Sequence, residues 1–555
     1  MSTATVPSAL IKIKGDQGDL LNEFAAIFPT EQALAATAMA LGADSLGTLS
    51  TQERTLAGTK LKAPARPILN TLIELIRNGH DPLGDAFCAL RSPATRRESG
   101  ATYTPAPIVQ TMVDWAAAGS PTRVIDPGVG SARFLMRAAV AFPDAELVGI
   151  DIDPLAALVA RANLAAIGAA DRARIVLGDY RSFNESTTGR TLYIGNPPYV
   201  RHHQIPAKWK DWLFIEAAKI GLPASKLAGL HVYFFLATVL KAKPKDYGAF
   251  ITAAEWLDVN YGALVRALVL NQLGGQSVTV IEPTAQPFPD AATTAAITTF
   301  EIGTKSKSVS FQRKDNLDDL KSLGKGRKIL RDRLAVEGRW SFLTHETQKP
   351  PEGYVELGEL CRVHRGTVTG ANVVWIAGEH SVGLPDSVLF PTVTRARDVL
   401  DAAGILADPG KLRRVIDLPP DLDELDTAER NAVKRFLKVA RQMGGNKGYV
   451  ASHRKAWWSV GLRRAAPIIS TYMARRPPAF VMNQVDARHI NIAHGLYPRD
   501  TMSEPLKQAL VDFLQSNISQ RSGRTYAGGL TKFEPREMER LIVPGPAILE
   551  AAVAQ

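Results

Sequence analysis

Asn196-Pro197-Pro198-Tyr199 places a side-chain amide, a backbone carbonyl and an aromatic ring within four residues. The tetrapeptide follows Thr191-Leu192-Tyr193-Ile194-Gly195, a short apolar run that reads as a buried strand. Two prolines in a row cannot extend a sheet ladder, so the chain must turn there. The three groups are therefore held at the C-terminal edge of a strand, where open α/β sheets bind ligands. Together they suit one task, gripping a planar exocyclic amino group. The Asn196 side-chain oxygen and the Pro197 carbonyl can accept its two N–H bonds, and Tyr199 can stack on the attached ring. The bland alternative is a strand exit stiffened by prolines, and the residues upstream argue against it.

Those residues lie at three earlier strand ends. Arg123-Val124-Ile125-Asp126 runs into Pro127-Gly128-Val129-Gly130-Ser131-Ala132-Arg133-Phe134, a glycine turn that lets a ligand approach the backbone and then opens a helix. Ala132 stands where such turns usually carry a third glycine. A second strand ends Gly149-Ile150-Asp151-Ile152-Asp153-Pro154. Its Asp151, about 20 positions after the glycines, is placed to bind the two hydroxyls of a ribose. A third ends Gly178-Asp179-Tyr180, where a carboxylate can accept from an adenine amino group and a ring can pack on the base. Any one of Asp126, Asp151 and Asp179 alone reads as a helix N-cap. In register ahead of Asn-Pro-Pro-Tyr they frame a nucleoside pocket. The ligand is then a dinucleotide or S-adenosylmethionine. The missing third glycine, and above all the tetrapeptide, decide for the methyl donor.

The elements that position these residues follow from periodicity. Residues 1–99 read as a helical N-terminal segment with no catalytic constellation. Residues 100–303 alternate strand and helix. Strands are expected at 123–126, 147–151, 174–178, 191–195, 248–253, 277–282 and 294–302, and helices at 107–118, 131–140, 154–167, 229–243 and 254–272. That pattern predicts a doubly wound, Rossmann-like α/β sheet whose last two strands form an antiparallel edge hairpin. Residues 304–340, polar and basic, read as a linker. Residues 341–555 read as a mixed α+β domain, with one clear helix at 503–519.

With 555 residues and 45% hydrophobic content the chain has ample core for more than one domain. No apolar run approaches the ~20 residues that span a bilayer. Cys88 and Cys361 are the only cysteines, which excludes a disulfide framework and a cysteine-based zinc site. A cytoplasmic setting is expected, in a bacterial or archaeal cell and associated with its nucleoid. Net charge is +11, from 66 Lys+Arg and 55 Asp+Glu. Residues 301–555 hold 39 Lys+Arg and 29 Asp+Glu, or +10, leaving 27 and 26, or +1, for residues 1–300. Residues 431–480 carry eleven Lys/Arg and no Asp/Glu, interleaved with Tyr449, Trp457, Trp458 and Tyr472. A segregated basic block with aromatics points to nucleic acid.

From about residue 100 to the C-terminus the sequence resembles the gamma-class adenine-N6 DNA methyltransferases, the Taq-like enzymes of type II restriction–modification systems. In that family a Tyr/Phe-Thr-Pro element closes over the methionine end of S-adenosylmethionine, and here it is Tyr103-Thr104-Pro105. The family's glycine loop matches Asp126 to Phe134 and departs at Ala132. By the same resemblance Asp126, Gly128 and Gly130 belong to the cofactor site. Asp151 is the ribose acid with Ile152 beside the adenine, and Asp179 with Tyr180 is the adenine site. Asn196, Pro197, Pro198 and Tyr199 match the catalytic motif without departure. Phe288 matches a later aromatic that packs on the extruded base.

The resemblance extends to a target-recognition region through Arg365 to Asn372, Tyr472 to Arg476, Asn491 to Pro498 and Tyr526 to Lys532. The DNA-binding candidates are Lys447, Arg454, Lys455, Arg475, Arg476, Asn491, His494 and Lys532. Arginine forks suit phosphates and base edges alike. For His494 two readings stand, a DNA contact and a buried histidine that fixes a turn. The implied activity is site-specific methylation of a flipped adenine in duplex DNA, protecting it from a separate cognate restriction endonuclease. The N-terminal segment has no Asp…Glu-x-Lys nuclease site, and no metal is expected. The alternatives are cytosine-N4 methylation, an RNA or protein-glutamine methyltransferase, and an inactive DNA-binding scaffold.

Overall fold

Arg123–Asp126 (β1) and Thr191–Gly195 (β4) are buried along their whole length and pair in parallel at the centre of a nine-stranded sheet. Strands buried on both faces read as continuous apolar runs, which is how both are written. The computed structural model describes residues 28–554 except 59–61, 93–94, 97–102, 186–187, 286, 289–292, 305, 345–349, 475, 519–523 and 527–529. It divides into two units, Met1–Thr347 and Gln348–Gln555.

The first unit is built on that sheet. Its other strands are Glu146–Asp151 (β2), Ala173–Leu177 (β3), Tyr247–Ala253 (β5), Gly275–Ile281 (β6), Ala295–Glu301 (β7), Ser308–Lys314 (β8) and Arg327–Leu330 (β9). Their order is β3-β2-β1-β4-β5-β7-β6-β8-β9, with β3 through β5 parallel. The strand order reverses between β1 and β4, and at such a switch point a crevice opens at the strands' C-terminal ends. The expected β6–β7 hairpin is present and antiparallel, with β7 lying against β5. One expectation is corrected. Residues 304–340, read as a linker, supply β8 and β9, which continue the sheet beyond β6. β9 forms the open edge, and its Lys and Arg content suits that position, where charge discourages further pairing. The expected helix at 254–272 is also broken, into short turns and Ala263–Leu270.

The N-terminal segment is helical among the described residues: Glu31–Ala40 (α1), Thr51–Ala57 (α2), Arg66–Arg77 (α3) and Pro82–Leu90 (α4). Ala106–Ala116 (α5) precedes the sheet, Arg133–Ala141 (α6) follows β1, and Pro154–Ala166 (α7) follows β2. Eleven of the thirteen residues of α7 are buried. A helix apolar on all sides must be covered on all sides, and α1 through α4 supply the outer cover. Arg161 on α7 locks the two together. It pairs with Glu53 at 2.8 Å and donates to the carbonyls of Leu46 and Ile175, both at 2.8 Å. Both charged side chains are at most 3% exposed, so removing either one costs about 3–5 kcal/mol.

The second unit centres on a five-stranded sheet. Cys361–Arg365 (β10) forms one edge and pairs antiparallel with Ala493–Pro498 (β15). Ile468–Thr471 (β12) and Phe480–Asn483 (β13) come next, and Ile405–Leu406 (β11) closes the order β10-β15-β12-β13-β11. Arg488–His489 (β14) belongs to a separate three-stranded sheet. The expected 503–519 helix is Glu504–Asn517 (α8), started by a Ser503 cap.

Candidate functional site

The crevice at the switch point is a cavity of about 420 Å³. Its polar wall contains Asp151, Asp179 and Asn196, and its apolar wall contains Ile152, Val200 and Phe234. Of the cofactor candidates, Tyr103, Thr104, Gly128, Gly130, Asp151, Ile152, Asp179 and Tyr180 line it. Pro105 and Asp126 are not part of its lining.

Asp126 is 1% exposed, and its Oδ1 accepts weakly from the Gly128 N–H at 3.3 Å. Its Oδ2 is buried without a hydrogen-bond partner, and burial pushes the carboxyl up to about 8. A Cβ at Gly195 would run into this carboxylate, so only glycine lets β4 end so close to β1. Asp151 is braced by backbone: Gly130 N–H donates to Oδ2 at 2.9 Å and Asp153 N–H to Oδ1 at 3.0 Å. Burial outweighs these bonds and lifts its pKa to about 6. Ile152 is 63% exposed, an apolar side chain presented to the pocket.

Asp179 is more engaged than its sequence position suggests. Arg181 clamps it with Nε to Oδ1 at 2.8 Å and Nη2 to Oδ2 at 2.6 Å, and the guanidinium lies 3.7 Å over the Trp209 ring. Tyr180 is 1% exposed and bonds Thr238 at 2.9 Å, so it forms the floor of the pocket.

The tetrapeptide leaves β4 at the pocket's rim. Nδ2 of Asn196 donates to Thr104 Oγ1 at 3.1 Å, which fixes the end of the amide that serves as acceptor. Thr104 is 3% exposed, held by the turn into α5. Tyr199 meets Phe288 edge-on with centroids 5.4 Å apart, and its hydroxyl lies 3.4 Å from the Ile251 carbonyl. The two residues expected to stack on a target base are thus neighbours, although Phe288 is only 3% exposed.

Several pocket residues were not singled out from the sequence. The N-cap of α4, Asp81, accepts from Ser131 Oγ, from Arg133 Nε at 2.7 Å and from Asn163 Nδ2 at 2.9 Å. Arg133 also pairs with Asp85 at 2.7 Å and lies 5.0 Å over the Tyr103 ring, which in turn packs 5.8 Å from Phe87. A Cβ at Gly84 would strike both Asp81 and Ser131, so α4 sits directly on the glycine turn. The N-terminal segment therefore roofs the pocket. The Asp-Pro at 81–82 is a readable helix start, but nothing local names its partner. Ala132 itself adopts φ 71°, the left-handed region that glycine would enter without strain.

In the second unit the DNA candidates separate into two groups. Lys447, Lys455 and Arg476 are exposed, and Asn491 is half-buried. His494 is a correction: it is 0% exposed, bonds the Phe533 carbonyl through Nε2 at 2.8 Å, and packs 4.9 Å from Tyr472. Burial lowers its pKa to about 4, so it is a neutral core residue and not a DNA contact. Arg454 is also spent on structure, donating to the carbonyls of Val368 and Thr369 at 2.9 Å each. Lys532 pairs with Glu534. Arg475, and part of the stretch from Tyr526 to Lys532, lie outside the described residues.

Among the described residues no helix is long and apolar enough to cross a membrane, and no His/Cys/Asp/Glu group is arranged to hold a metal.

Residues 78–332 match the family model described as N-6 DNA methylase. Residues 344–555 match that of the type II methyltransferase M.Eco57I, C-terminal domain. The chain is 50% identical over 533 residues to the type II methyltransferase M.XamI of Xanthomonas campestris pv. amaranthicola, covering 94% of this chain and 99% of that protein. It is 20% identical to the type II methyltransferase M.AccI of Acinetobacter calcoaceticus, over 80% of this chain and 85% of that protein. In fold it is similar to the type IIL restriction–modification enzyme MmeI, solved in complex with DNA. That likeness has a TM-score of 0.53 at 13% identity and covers 97% of this chain and 84% of the other. The chain belongs to the type II DNA methyltransferases of restriction–modification systems, with a catalytic region of the N6-adenine type.

Proposed function

We propose that this type II methyltransferase moves a methyl group from S-adenosylmethionine to N6 of an adenine turned out of duplex DNA. The observation that carries the reading is that the tetrapeptide leaves β4 beside the pocket described above, with Asn196 and Pro198 in its lining and Tyr199 against Phe288. The residues present fit the cofactor. Ile152 offers an apolar face for a purine, Asp151 an acceptor for ribose hydroxyls, and Asp179 an acceptor for an amino group. The unpartnered Asp126 Oδ2 lies beside the glycine turn, in a carboxyl that burial pushes up to about 8 and so holds largely protonated at neutral pH. When bound, the cofactor supplies a methyl group activated on a cationic sulfur.

The chain's own residues do the rest. Adenine N6 is a poor nucleophile because its lone pair is delocalised into the ring. Asn196 Oδ1 and the Pro197 carbonyl accept its two N–H bonds, which favours a tetrahedral nitrogen and localises that pair. Thr104 orients the amide, and the prolines hold both acceptors rigid, so the catalysis is preorganised positioning and electrostatics. Tyr199 and Phe288 offset the few kcal/mol of unstacking by packing on the base. Their present edge contact means that a base held between them must part the two rings. The exposed cations of the second unit bind the duplex, and restriction is the work of a separate endonuclease.

The test is transfer of a labelled methyl group to duplex DNA, followed by nucleoside analysis. N6-methyladenine is the expected product. N4-methylcytosine would correct the base. Cofactor binding with no label in DNA would refute the reading.

A further inference from the structure

The second unit has a concavity of about 640 Å³ whose lining includes Arg362, His364, Arg463, Arg464, Tyr497 and Arg499. Arg362 and His364 alternate along β10 with the buried Cys361 and Val363, so they stand on the face of the sheet turned away from its core. Tyr497 on β15 is the register partner of Arg362, and its ring lies edge-on to His364 at 5.5 Å. Its hydroxyl donates to the Arg464 carbonyl at 2.8 Å, and Arg488 donates to the Arg463 carbonyl at 2.7 Å. These bonds fix the backbone of the two arginines against the sheet and leave their side chains exposed.

No carboxylate lines the groove, and among the described residues none of its four arginines forms an ion pair. Elsewhere in the molecule arginines beside the sheets are regularly paired, as Arg133, Arg161, Arg174 and Arg181 are. The nearby Glu539 spends Oε1 on the Val363 amide. His364 feels the surrounding charges: its pKa is lowered first by burial and then by Arg463, is raised by Glu539, and is lowered again by Arg362. Four arginines without an acid, one on β10, one just after β15 and two on the segment that precedes β12, form a cradle for phosphates.

We infer that this groove binds the phosphodiester backbone of duplex DNA through Arg362, Arg463, Arg464 and Arg499. The inference rests on the DNA reading above and names the site of that contact, which the sequence candidates do not include. Backbone contacts carry no sequence information. The groove therefore sets affinity and its salt dependence, while base readers elsewhere set the site.

The experiment compares the full chain with R362Q/R463Q/R464Q and with R362K/R463K/R464K. The Arg499 Nε supports the Gly358 carbonyl at 2.6 Å and is left alone. Affinity is measured by titrating duplexes with and without the recognition site over a range of salt. The glutamine variant should bind both duplexes at least ~10-fold more weakly at moderate salt, with the slope of log affinity against log salt reduced by about 1 per arginine. The lysine variant should restore most of the slope. Cofactor affinity, read on the same samples, should be unchanged in both and so shows that the chain is folded. An unchanged slope with intact wild-type binding overturns the groove and leaves the DNA reading standing. A loss confined to the cognate duplex overturns backbone contact in favour of base reading. A wild-type chain that binds no duplex overturns both readings together.

Discussion

The pocket of the first unit and the basic region of the second hold their polar groups by opposite means. In the pocket the backbone dictates position. Asp126 and Asp151 each end a strand, Asp179 follows β3 by two residues, Gly195 makes room for Asp126, and two prolines fix the exit that carries Asn196. In the second unit, position is decided by which side chain happens to find a carbonyl or a carboxylate. Arg454 grips two carbonyls and His494 is sealed in the core, yet Lys455 and Arg476, equally basic in sequence, are exposed. Residue type therefore predicts role where the backbone leaves one placement open, and fails where a guanidinium can serve fold or ligand equally well.

The largest effect that could break this contrast belongs to Asn196→Ala. It should lower turnover by ~10³ or more while cofactor affinity stays within about twofold, because the lost acceptor matters most at the reacting nitrogen. Single-turnover methylation and calorimetry read the two quantities separately, and an equal loss of both would remove Asn196 from the chemistry. His494→Ala tests the other region. It should cost about 2–3 kcal/mol of unfolding free energy, from the cavity and the stranded Phe533 carbonyl. Denaturant titration measures that, and a selective loss of DNA affinity at unchanged stability would make His494 a reader after all.

A third test uses pH. With Asp151 titrating at about 6, its ionised form is the acceptor for hydroxyl donors. Cofactor affinity should be level above pH 6 and fall up to about tenfold per unit below it, and Asp151→Asn should flatten the profile. The smallest expected change is Ala132→Gly. Relief of a left-handed alanine, about 1 kcal/mol, is offset by loss of a buried methyl of about 0.8 kcal/mol. Thermal melts should therefore agree to within a few degrees, and a large loss would show that the methyl packs better than its backbone suggests.

The parts of this molecule that a sequence reveals are those written in adjacent residues. Strand, glycine turn and Asp-Pro boundaries are local, so the central strands and the pocket rim were readable from them. The brace of Asp81 on Ser131 and Arg133 joins residues 50 and 52 positions apart, and no local pattern announces it. Strand β8 reads as a linker because Ser308–Lys314 mixes polar and charged residues with only two large apolar side chains, Val309 and Phe311, near the end of the sheet. Of the groove arginines, Arg463 and Arg464 lie in the basic block at 431–480 and Arg362 and Arg499 do not, and nothing in the sequence groups the four. Only the structure shows which basic side chains have been left without an acid.

The Arg161–Glu53 lock also has a schedule. The partners are 108 residues apart, so at ~5–20 residues per second of synthesis Glu53 leaves the ribosome roughly 5–20 s before Arg161 does. For that interval the inner faces of α1 through α4 have nothing to cover. The roof of the pocket is made before the helix it covers, and the newborn chain carries an open apolar surface until α7 arrives to close it.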